Sequence, residues 1–375
     1  MLGVANVETA VERLRERPRA RQALDAISPY EPGMSPEIAS RRFGPRDYAK
    51  LSSNENPFGP SPRAIEAAAG ALCESATYPD STSQALRRAL ADHLGVPIER
   101  VAAGPGSEAL IDYFFRAYLS PGDAVLLSQP TFPSYEIFAR SAGAEIIDVP
   151  RDSAFQIDVE AVTRALRRRP RLLALCTPNN PTGNLTSRRD LKAILGATPH
   201  DTIVLLDEAY FEFHEVGGPL DLLDAWGGVF LLTRTFSKAY GLAGLRVGYA
   251  VASSPDVLDA FDRLRPAFNL TNASQAAAIA ALADQDHMRR GVRAIAAERG
   301  RMERALTKAG VSHTTSHCNF VFVRSPIAID EAFDRLLAAG LIARPIPVGE
   351  GYFRITVGKR AENDKVLAAL SAMAK

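Results

Sequence analysis

Between residues 51 and 265, short apolar runs of strand length alternate with stretches of helical periodicity. Most of these runs are apolar on both faces, which is typical of strands buried within a parallel sheet. The alternation predicts an α/β region in which helices cover a mostly parallel sheet. The predicted strands are residues 124–127, 145–149, 172–176, 203–206, 229–233 and 247–251.

The rest of the chain indicates a second, smaller α/β unit. At 375 residues, the chain exceeds what one hydrophobic core usually serves. We expect a large domain at 51–265 and a small domain at 266–375, with the segment 1–50 packed on the small one. The elements predicted for the small domain are helices at 274–282, 288–309, 329–339 and from 361, and strands at 320–323 and 352–357.

Charge, cysteine content and hydropathy argue against several classes of protein. The formal net charge is +1, from 44 basic and 43 acidic residues, so nucleic acid is not expected as a partner. Cys73, Cys176 and Cys318 lack a metal-binding spacing, which favours reduced thiols and no metal. The sequence has neither a secretion signal nor an apolar run of membrane-spanning length. We therefore expect a cytoplasmic protein without membrane contact.

One lysine lies in an unusual local sequence. Lys238 is surrounded by hydroxyls, glycines and a second cation in the segment RTFSKAYGLAGLR at 234–246. A lysine amine attacks a carbonyl only when it is deprotonated, so it needs burial or a neighbouring cation to lower its pKa below about 10.4. Arg246 is the cation that the sequence offers. Taken alone, the segment could also be a basic surface turn, but the cofactor elements upstream favour a site that binds an aldehyde.

A phosphate site is predicted beside this lysine. Thr235 and Ser237 supply hydroxyls three and one positions before it, and the guanidinium of Arg246 suits two phosphate oxygens. An aldehyde that carries a phosphate is pyridoxal phosphate, which is the expected cofactor.

A glycine-rich helix start supplies further phosphate ligands. The sequence GPGSE at 104–108 opens a predicted helix, and the first N–H groups of a helix bind anions. We assign the backbone N–H groups of Ser107 and Glu108 to the cofactor phosphate.

Side chains after other predicted strands complete a cofactor site. Asp207 follows the strand at 203–206, and its carboxylate could keep a pyridine nitrogen protonated; capping a helix is its alternative role. Asn179 lies in the turn CTPNNPTG, and its amide could bind the phenolic oxygen of the cofactor together with Tyr210. Phe132 could stack on the ring, or it could be a core aromatic.

These segments together resemble the fold-type I pyridoxal-phosphate aminotransferases, and most closely the histidinol-phosphate aminotransferases. The resemblance spans nearly the whole chain and implies a mixed, mostly parallel seven-stranded sheet flanked by helices in the large domain. The matching segments are PYEPG at 29–33, LSSNENP at 51–57, YPD at 78–80, the helix start at Gly106, TF at 131–132, PNNPTG at 178–183, DEAY at 207–210, the Lys238 segment and FRITVG at 353–358.

The resemblance also implies roles for individual residues. Lys238 would hold the cofactor covalently and later move a proton between the substrate α-carbon and the cofactor. Tyr78 would reach the cofactor phosphate held by the other subunit, which implies a homodimer with shared active sites. The groups on the cofactor ring would be Asp207 at the pyridine nitrogen, Asn179 and Tyr210 at the phenolic oxygen, and Phe132 on the ring face.

For the substrate, the resemblance implies a tyrosine near the N-terminus and two C-terminal arginines. Two arginines suit a phosphate dianion better than a carboxylate monoanion, so their presence favours a phosphate ester. In relatives that act on amino acids, Arg354 would instead bind the α-carboxylate bidentately. The residues assigned to the substrate are Tyr30, Asn54, Asn179, Arg344 and Arg354.

We therefore expect ping-pong transamination between glutamate/2-oxoglutarate and histidinol phosphate/imidazole acetol phosphate, a step of histidine biosynthesis. An aromatic aminotransferase acting on phenylalanine or tyrosine stays open, because the loop at 345–351 between the two arginines is short and proline-rich. Two remoter alternatives are a decarboxylase of amino-acid phosphates and a transcription regulator built on this fold. The regulator would need a DNA-binding domain, and no basic recognition helix is visible before residue 51.

Overall fold

The computed structural model describes residues 20–28 and 33–374. The strands in these residues are β1 (Ala49–Lys50), β2 (Val101–Gly104), β3 (Ala124–Leu127), β4 (Glu145–Asp148), β5 (Leu172–Cys176), β6 (Ile203–Asp207), β7 (Phe230–Thr235), β8 (Gly248–Ala252), β9 (Phe320–Arg324), β10 (Leu341–Ile342), β11 (Arg344–Ile346) and β12 (Tyr352–Thr356).

The α-helices are α1 (Pro36–Phe43), α2 (Pro62–Ala71), α3 (Gln84–Leu94), α4 (Ser107–Tyr118), α5 (Pro133–Ser141), α6 (Val159–Leu166), α7 (Arg188–Ala197), α8 (Leu220–Trp226), α9 (Pro255–Asp262), α10 (Asn272–Ala283), α11 (Gln285–Lys308), α12 (Ile329–Ala338) and α13 (Arg360–Met373). Short 3₁₀ helices lie at Gln22–Ala26, Leu72–Glu74, Ile98–Arg100, Phe211–Phe213 and Ala243–Leu245. Within the described ranges, every helix is too short or too polar to cross a bilayer.

A seven-stranded sheet occupies residues 101–252, in the order β2-β8-β7-β6-β5-β3-β4. Six strands run in one direction, and β8 is antiparallel to both of its neighbours. Strands β5, β6 and β7 are buried at every position, as expected where helices cover both faces of a sheet. Because the carboxyl ends of parallel strands meet at one edge, the residues that follow them lie close together.

Two smaller sheets lie outside this region. Strands β11, β12 and β9 form an antiparallel sheet, and β1 pairs in parallel with β10. Ala39 of α1 and Tyr48 share a hydrophobic cluster with Leu337 and Ile342. Residues 36–50 therefore pack on the part of the chain that contains α12 and β10.

Local sequence sets where several helices begin. Ser61 and Ser187 stand immediately before α2 and α7, and each side-chain oxygen accepts a hydrogen bond from a backbone N–H of the first turn. Proline occupies the first position of α2 and α5, where its missing N–H has no intrahelical partner to lose.

The predicted α/β class and the mostly parallel seven-stranded sheet are confirmed. All six predicted strands of the large sheet are present, each with bounds within two residues of the prediction. Strand β2 was not among them, because its sequence, Val-Ala-Ala-Gly, has only one residue with a strong preference for strands. Strands β10 and β11 contain two and three residues, too few to show a periodic pattern.

Candidate active site

A cavity of about 670 Å³ lies at the carboxyl ends of β5, β6 and β7. Most of the residues predicted for the site line it, namely Asn54, Ser107, Glu108, Phe132, Asp207, Tyr210, Thr235, Ser237, Lys238, Arg246, Arg344 and Arg354. Residues that were not predicted for the site also line it, among them Glu55, Ser134, Ile137, Phe138, Cys176 and Asn180.

Lys238 follows β7, and its amine lies inside this cavity. The Nζ atom donates a hydrogen bond to the carbonyl oxygen of Ser53 at 3.1 Å. Burial lowers the pKa of Lys238 to about 8, and the guanidinium of Arg354 is the next largest cause. Arg246, the cation selected from the sequence, also lowers this pKa, but by less than Arg354 does. With a pKa near 8, a useful fraction of the amine is neutral at physiological pH and can attack a carbonyl carbon.

The two hydroxyls before the lysine lie together at the end of β7. The hydroxyl of Thr235 donates to Oγ of Ser237 at 3.0 Å, and the backbone N–H of Ser237 donates to Oγ1 of Thr235 at 3.1 Å. Nη1 of Arg246 lies 3.5 Å from the Ser237 hydroxyl. The three side chains predicted to bind a phosphate therefore form one group.

Two glycines let the start of α4 approach this group. Gly106, directly before α4, has φ +86°, and a Cβ there would lie 2.7 Å from Nη2 of Arg246. At Gly248, which pairs with Thr235 across β7 and β8, a Cβ would lie 2.4 Å from the backbone nitrogen of Ser107. Gly106 also has no side chain to cap the first N–H groups of the helix. Backbone donors, hydroxyls and a guanidinium thus surround one space, which suits a phosphate.

Asp207 is buried at the end of β6. The hydroxyl of Tyr135 donates to its Oδ2 at 2.6 Å, while the Thr233 hydroxyl and the Ala209 N–H donate to its Oδ1, both at 3.1 Å. Burial raises the pKa of Asp207, although these hydrogen bonds oppose the shift. A buried carboxylate is stabilised by a cation beside it, and a protonated pyridine nitrogen is such a cation.

Tyr210 is buried next to Asn54. Nδ2 of Asn54 donates to the Tyr210 hydroxyl oxygen at 2.8 Å, and the backbone N–H of Asn54 donates to Oγ1 of Thr356 at 2.9 Å. Burial raises the pKa of Tyr210, so the phenol keeps its proton at neutral pH. Its O–H can therefore donate to an anionic ligand oxygen in the cavity.

Asn179 is placed differently from the expectation. Its side chain is fully buried inside the turn, where Nδ2 donates to the carbonyl oxygen of Pro130 and to the hydroxyl of Thr182, and Oδ1 accepts from Thr131. Asn179 does not line the cavity; the neighbouring Asn180 does. The amide predicted to face the ligand is thus used to hold the turn, because both of its hydrogens already have acceptors within the protein.

Residues 178–184 are also held from the other side, by the segment before β9. The Thr314 hydroxyl donates to the carbonyl oxygen of Thr182 at 2.5 Å. The backbone N–H of His317 donates to the carbonyl oxygen of Gly183 at 2.8 Å. Gly183 has φ +79°, and a Cβ there would lie 2.5 Å from Oγ of Ser316. The turn therefore contacts both the segment after β3, at Pro130 and Thr131, and the segment 314–317.

Arg354 of β12 contacts the same turn and also the segment that follows β1. Its Nη1 donates to Oδ1 of Asn180 at 2.7 Å, and its Nη2 donates to the carbonyl oxygen of Ser52 at 2.7 Å. Arg344 pairs with Arg354 across β11 and β12 and lines the same cavity. Two guanidinium groups on one wall make this part of the cavity positive.

The remaining predicted residues differ in their placement. Phe132 lines the cavity, with its ring edge-to-face against Tyr135 at 5.5 Å. Tyr78 does not line the cavity; its side chain is 80% exposed and stacks on Phe268 at 4.5 Å. Tyr30 lies outside the described residues.

The groups at the cavity fit pyridoxal phosphate. An amine with a lowered pKa, a buried carboxylate and an anion-binding group are the three features that an aromatic aldehyde with a ring nitrogen and a phosphate requires. Among residues 20–28 and 33–374, no set of histidine, cysteine and carboxylate side chains could hold a metal ion.

Comparisons with known proteins identify relatives over almost the whole length. Residues 46–370 match the family model described as "Aminotransferase class I and II". Histidinol-phosphate aminotransferase 2 of Caulobacter vibrioides is 56% identical over 94% of this chain and 93% of its own. Histidinol-phosphate aminotransferase 1 of Nitrosococcus oceani is 40% identical, with 94% and 96% covered.

Solved structures give the same result. The crystal structure of histidinol-phosphate aminotransferase from Sinorhizobium meliloti in complex with pyridoxal-5'-phosphate superposes with a TM-score of 0.86 at 31% identity. That alignment covers 96% of this chain and 99% of the other. On the family match and these relatives, the chain belongs to the class I and II aminotransferases.

Proposed function

We propose that this chain is a pyridoxal-phosphate-dependent aminotransferase that moves an amino group between glutamate/2-oxoglutarate and histidinol phosphate/imidazole acetol phosphate. The names of the relatives support this substrate. The observation that carries the proposal is the placement of Arg344 and Arg354 on paired strands, beside the cavity that contains Lys238.

The positive wall favours a dianionic substrate group. Coulomb attraction scales with the product of the charges, so two guanidinium groups gain about twice as much from a phosphate dianion as from a carboxylate. Arg354 already bonds Asn180 and the Ser52 carbonyl, and these contacts hold its guanidinium in one orientation. A fixed guanidinium loses less entropy when it binds an anion.

The reaction uses the protein groups as follows. When bound, pyridoxal phosphate supplies an aldehyde that takes up the amino group and a ring that accepts electrons from the substrate α-carbon. Lys238 would hold the cofactor through its amine, part of which is neutral at physiological pH, and would carry the proton that leaves or reaches the substrate α-carbon. Asp207 would pair with the ring nitrogen, and Tyr210 would donate to the phenolic oxygen.

Phosphate binding is assigned to the helix start and to the end of β7. The N–H groups of Ser107 and Glu108, the hydroxyls of Thr235 and Ser237, and Arg246 form that site. Phe132, which lines the cavity, would stack on the ring. We assign to Asn180, instead of Asn179, the contact with the phenolic oxygen and substrate, because Asn180 lines the cavity.

We also propose a homodimer with shared active sites. Tyr78 is highly exposed and does not line the cavity of its own chain, so its expected contact with a phosphate requires a second copy. The exposed apolar side chains of Phe58, Ile65 and Leu72 would be covered in such a dimer. Sedimentation of the purified protein measures the assembly, and Tyr78→Ala should weaken cofactor binding without altering the cavity of its own chain.

The division of the chain is also part of the proposal. The large sheet at 101–252 supports a cofactor-binding domain at 51–265, and the antiparallel sheet formed by β9, β11 and β12 supports a small domain at 266–375. Of the segment 1–50 predicted to pack on the small domain, residues 36–50 do so, and residues 1–19 and 29–32 lie outside the described residues. A cytoplasmic location is supported by free cysteines at 73, 176 and 318.

Spectral titration of the holoenzyme tests the function. Histidinol phosphate should bleach the visible absorption at concentrations at least about tenfold lower than phenylalanine does. The reason is that the phosphate of histidinol phosphate binds both arginines, whereas the carboxylate of phenylalanine binds one. If phenylalanine bleaches the absorption at a lower concentration than histidinol phosphate does, the result would support an aromatic aminotransferase instead. Carbon dioxide release without a keto acid would indicate a decarboxylase.

A matched pair of lysine variants tests the central residue. Lys238→Ala should abolish the visible absorption and reduce amino transfer by at least about a thousandfold. Lys192→Ala, on the exposed side of α7, should change neither. Parental turnover in the Lys238→Ala protein would refute the proposal.

A further inference from the structure

Tyr135 makes the shortest hydrogen bond to Asp207. It lies in the first turn of α5, is completely buried, and donates from its hydroxyl to Oδ2 of Asp207 at 2.6 Å. This segment follows Phe132, whose ring contacts Tyr135 edge-to-face. Tyr135 therefore joins α5, which begins directly after Phe132, to the carboxylate of Asp207.

The hydrogen bonds divide the two carboxylate oxygens between different donors. Oδ1 accepts from the Thr233 hydroxyl and the Ala209 N–H, and Oδ2 accepts from Tyr135. Donors on both oxygens prevent rotation of the carboxylate about its Cβ–Cγ bond. One remaining lone pair on Oδ2 can then accept from a ligand N–H in a fixed direction.

The same hydrogen bonds stabilise the ionised form. Burial and the charge of Glu108 raise the pKa of Asp207, whereas the bond from Tyr135 is the largest of the causes that lower it. Burial and the neighbouring Asp207 raise the pKa of Tyr135 itself, so the phenol remains protonated and acts as a donor. Removing the hydroxyl would leave Oδ2 of a buried carboxylate without that donor.

We propose that Tyr135 is a positioning residue that holds Asp207 ionised and oriented towards the ring nitrogen of the cofactor. This inference rests on the cofactor site of the proposed function, and not on amino transfer itself, because it assumes that a pyridine nitrogen binds at Asp207. Tyr135 acts through Asp207 and does not touch the ring nitrogen. Its effect must therefore depend on the presence of that nitrogen in the ligand.

The test compares two ligands in one variant. Tyr135→Phe removes a single oxygen, and the apo-protein is titrated with pyridoxal phosphate and with an analogue that has a carbon in place of the ring nitrogen. The dissociation constant for pyridoxal phosphate should rise about tenfold or more relative to the parental protein. The constant for the analogue should change less than about twofold, because Asp207 has no N–H to accept from it.

Tyr113→Phe is the matched control. Tyr113 is also a buried tyrosine of the same hydrophobic cluster, and its ring packs against Phe261. This variant should bind both ligands as the parental protein does. Urea unfolding of each apo-protein separates loss of folding from loss of binding.

The outcomes separate this inference from the proposed function. An equal loss for both ligands in Tyr135→Phe, an unfolded variant or no loss for pyridoxal phosphate would overturn the role of Tyr135. A parental protein that binds pyridoxal phosphate but transfers no amino group would overturn the proposed function and leave this inference standing. Failure of the parental protein to bind pyridoxal phosphate would overturn both.

Discussion

Arg344 and Arg354 are directly opposite each other on the antiparallel strands β11 and β12. Side chains of such partners leave the sheet on the same face, with Cβ atoms about 5 Å apart. Both arginines line the cavity that contains Lys238. Two positive charges on one wall of a cavity repel each other, so an anion between them stabilises the pair and gains affinity from both.

We expect Arg344→Lys to separate phosphate from carboxylate recognition. Because lysine lacks the two-pronged guanidinium, KM for histidinol phosphate should rise about 10- to 100-fold, while KM for phenylalanine should change by less than about threefold. Steady-state kinetics with both substrates measures this. Arg335→Lys, on α12 beside Glu331, is the control and should leave both constants unchanged. Equal increases for both substrates would contradict the assignment of Arg344 to the phosphate.

The lowered pKa of Lys238 predicts how cofactor uptake depends on pH. Below the value of about 8 the amine is protonated, so the uptake rate should fall about tenfold per pH unit; above about 8 it should level off. Stopped-flow absorbance of the apo-protein mixed with pyridoxal phosphate gives the profile. Arg354→Gln should move the midpoint to higher pH, because it removes a positive charge that lowers this pKa. A parental midpoint near 10.4 would show that the amine is unperturbed.

Gly183→Ala should destabilise the protein by about 1–3 kcal/mol. The added Cβ would lie 2.5 Å from Oγ of Ser316 and 3.0 Å from its Cα, at φ +79° where alanine is strained. Urea unfolding measures the change. Gly196→Ala is the control, since that helical position in α7 has open space around it and should gain about 0.5–1 kcal/mol. Similar effects at both positions would contradict the close approach to Ser316.

Arg234→Met should cost about 3–5 kcal/mol of stability. Arg234 donates twice to Oε2 of Glu208, at 2.9 and 2.8 Å, and its guanidinium lies 3.3 Å from the ring centroid of Phe211. The side chains of this ion pair are only 8% and 2% exposed, so the variant leaves a buried carboxylate unpaired.

A surface ion pair provides the comparison for Arg234→Met. Arg169→Met removes the pair with Asp201, whose side chains are more than half exposed, and should cost less than about 1 kcal/mol. Adding Glu208→Gln to Arg234→Met should recover part of the loss. A double variant as unstable as Arg234→Met alone would show that packing, and not the unpaired charge, dominates.

The parts of the molecule that the sequence predicted well are those where one physical signal dominates. Continuous apolar runs located the buried strands, and polar residues directly after them, such as Asp207, located one edge of the sheet. Lys238 and Arg246 could be selected because burial at a strand end and a neighbouring cation both lower the pKa of an amine. It was not predictable that Arg354 would lower the pKa of Lys238 more than Arg246 does, since Arg354 lies on β12, which is distant in sequence.

Other features depend on backbone geometry that local sequence does not encode. Asn179 and Asn180 are adjacent and identical in chemistry, and only the dihedral angles of their turn decide which amide faces the cavity. The sequence around Tyr135 gave only a weak indication of a role at the site, because a buried tyrosine in the first turn of a helix can equally be a core residue. Its contact with Asp207 spans 72 positions of the chain, and periodicity cannot predict a contact at that separation.

The turn at 178–184 has a consequence for how this enzyme could change its substrate. Arg354 is oriented by Asn180, and the backbone of that same turn is tied to Thr314 and His317. A selection for new substrate preference should therefore recover substitutions at 314–317, although these residues do not line the cavity. Substrate preference could then change through the contacts that hold this turn, while the side chains that line the cavity stay the same.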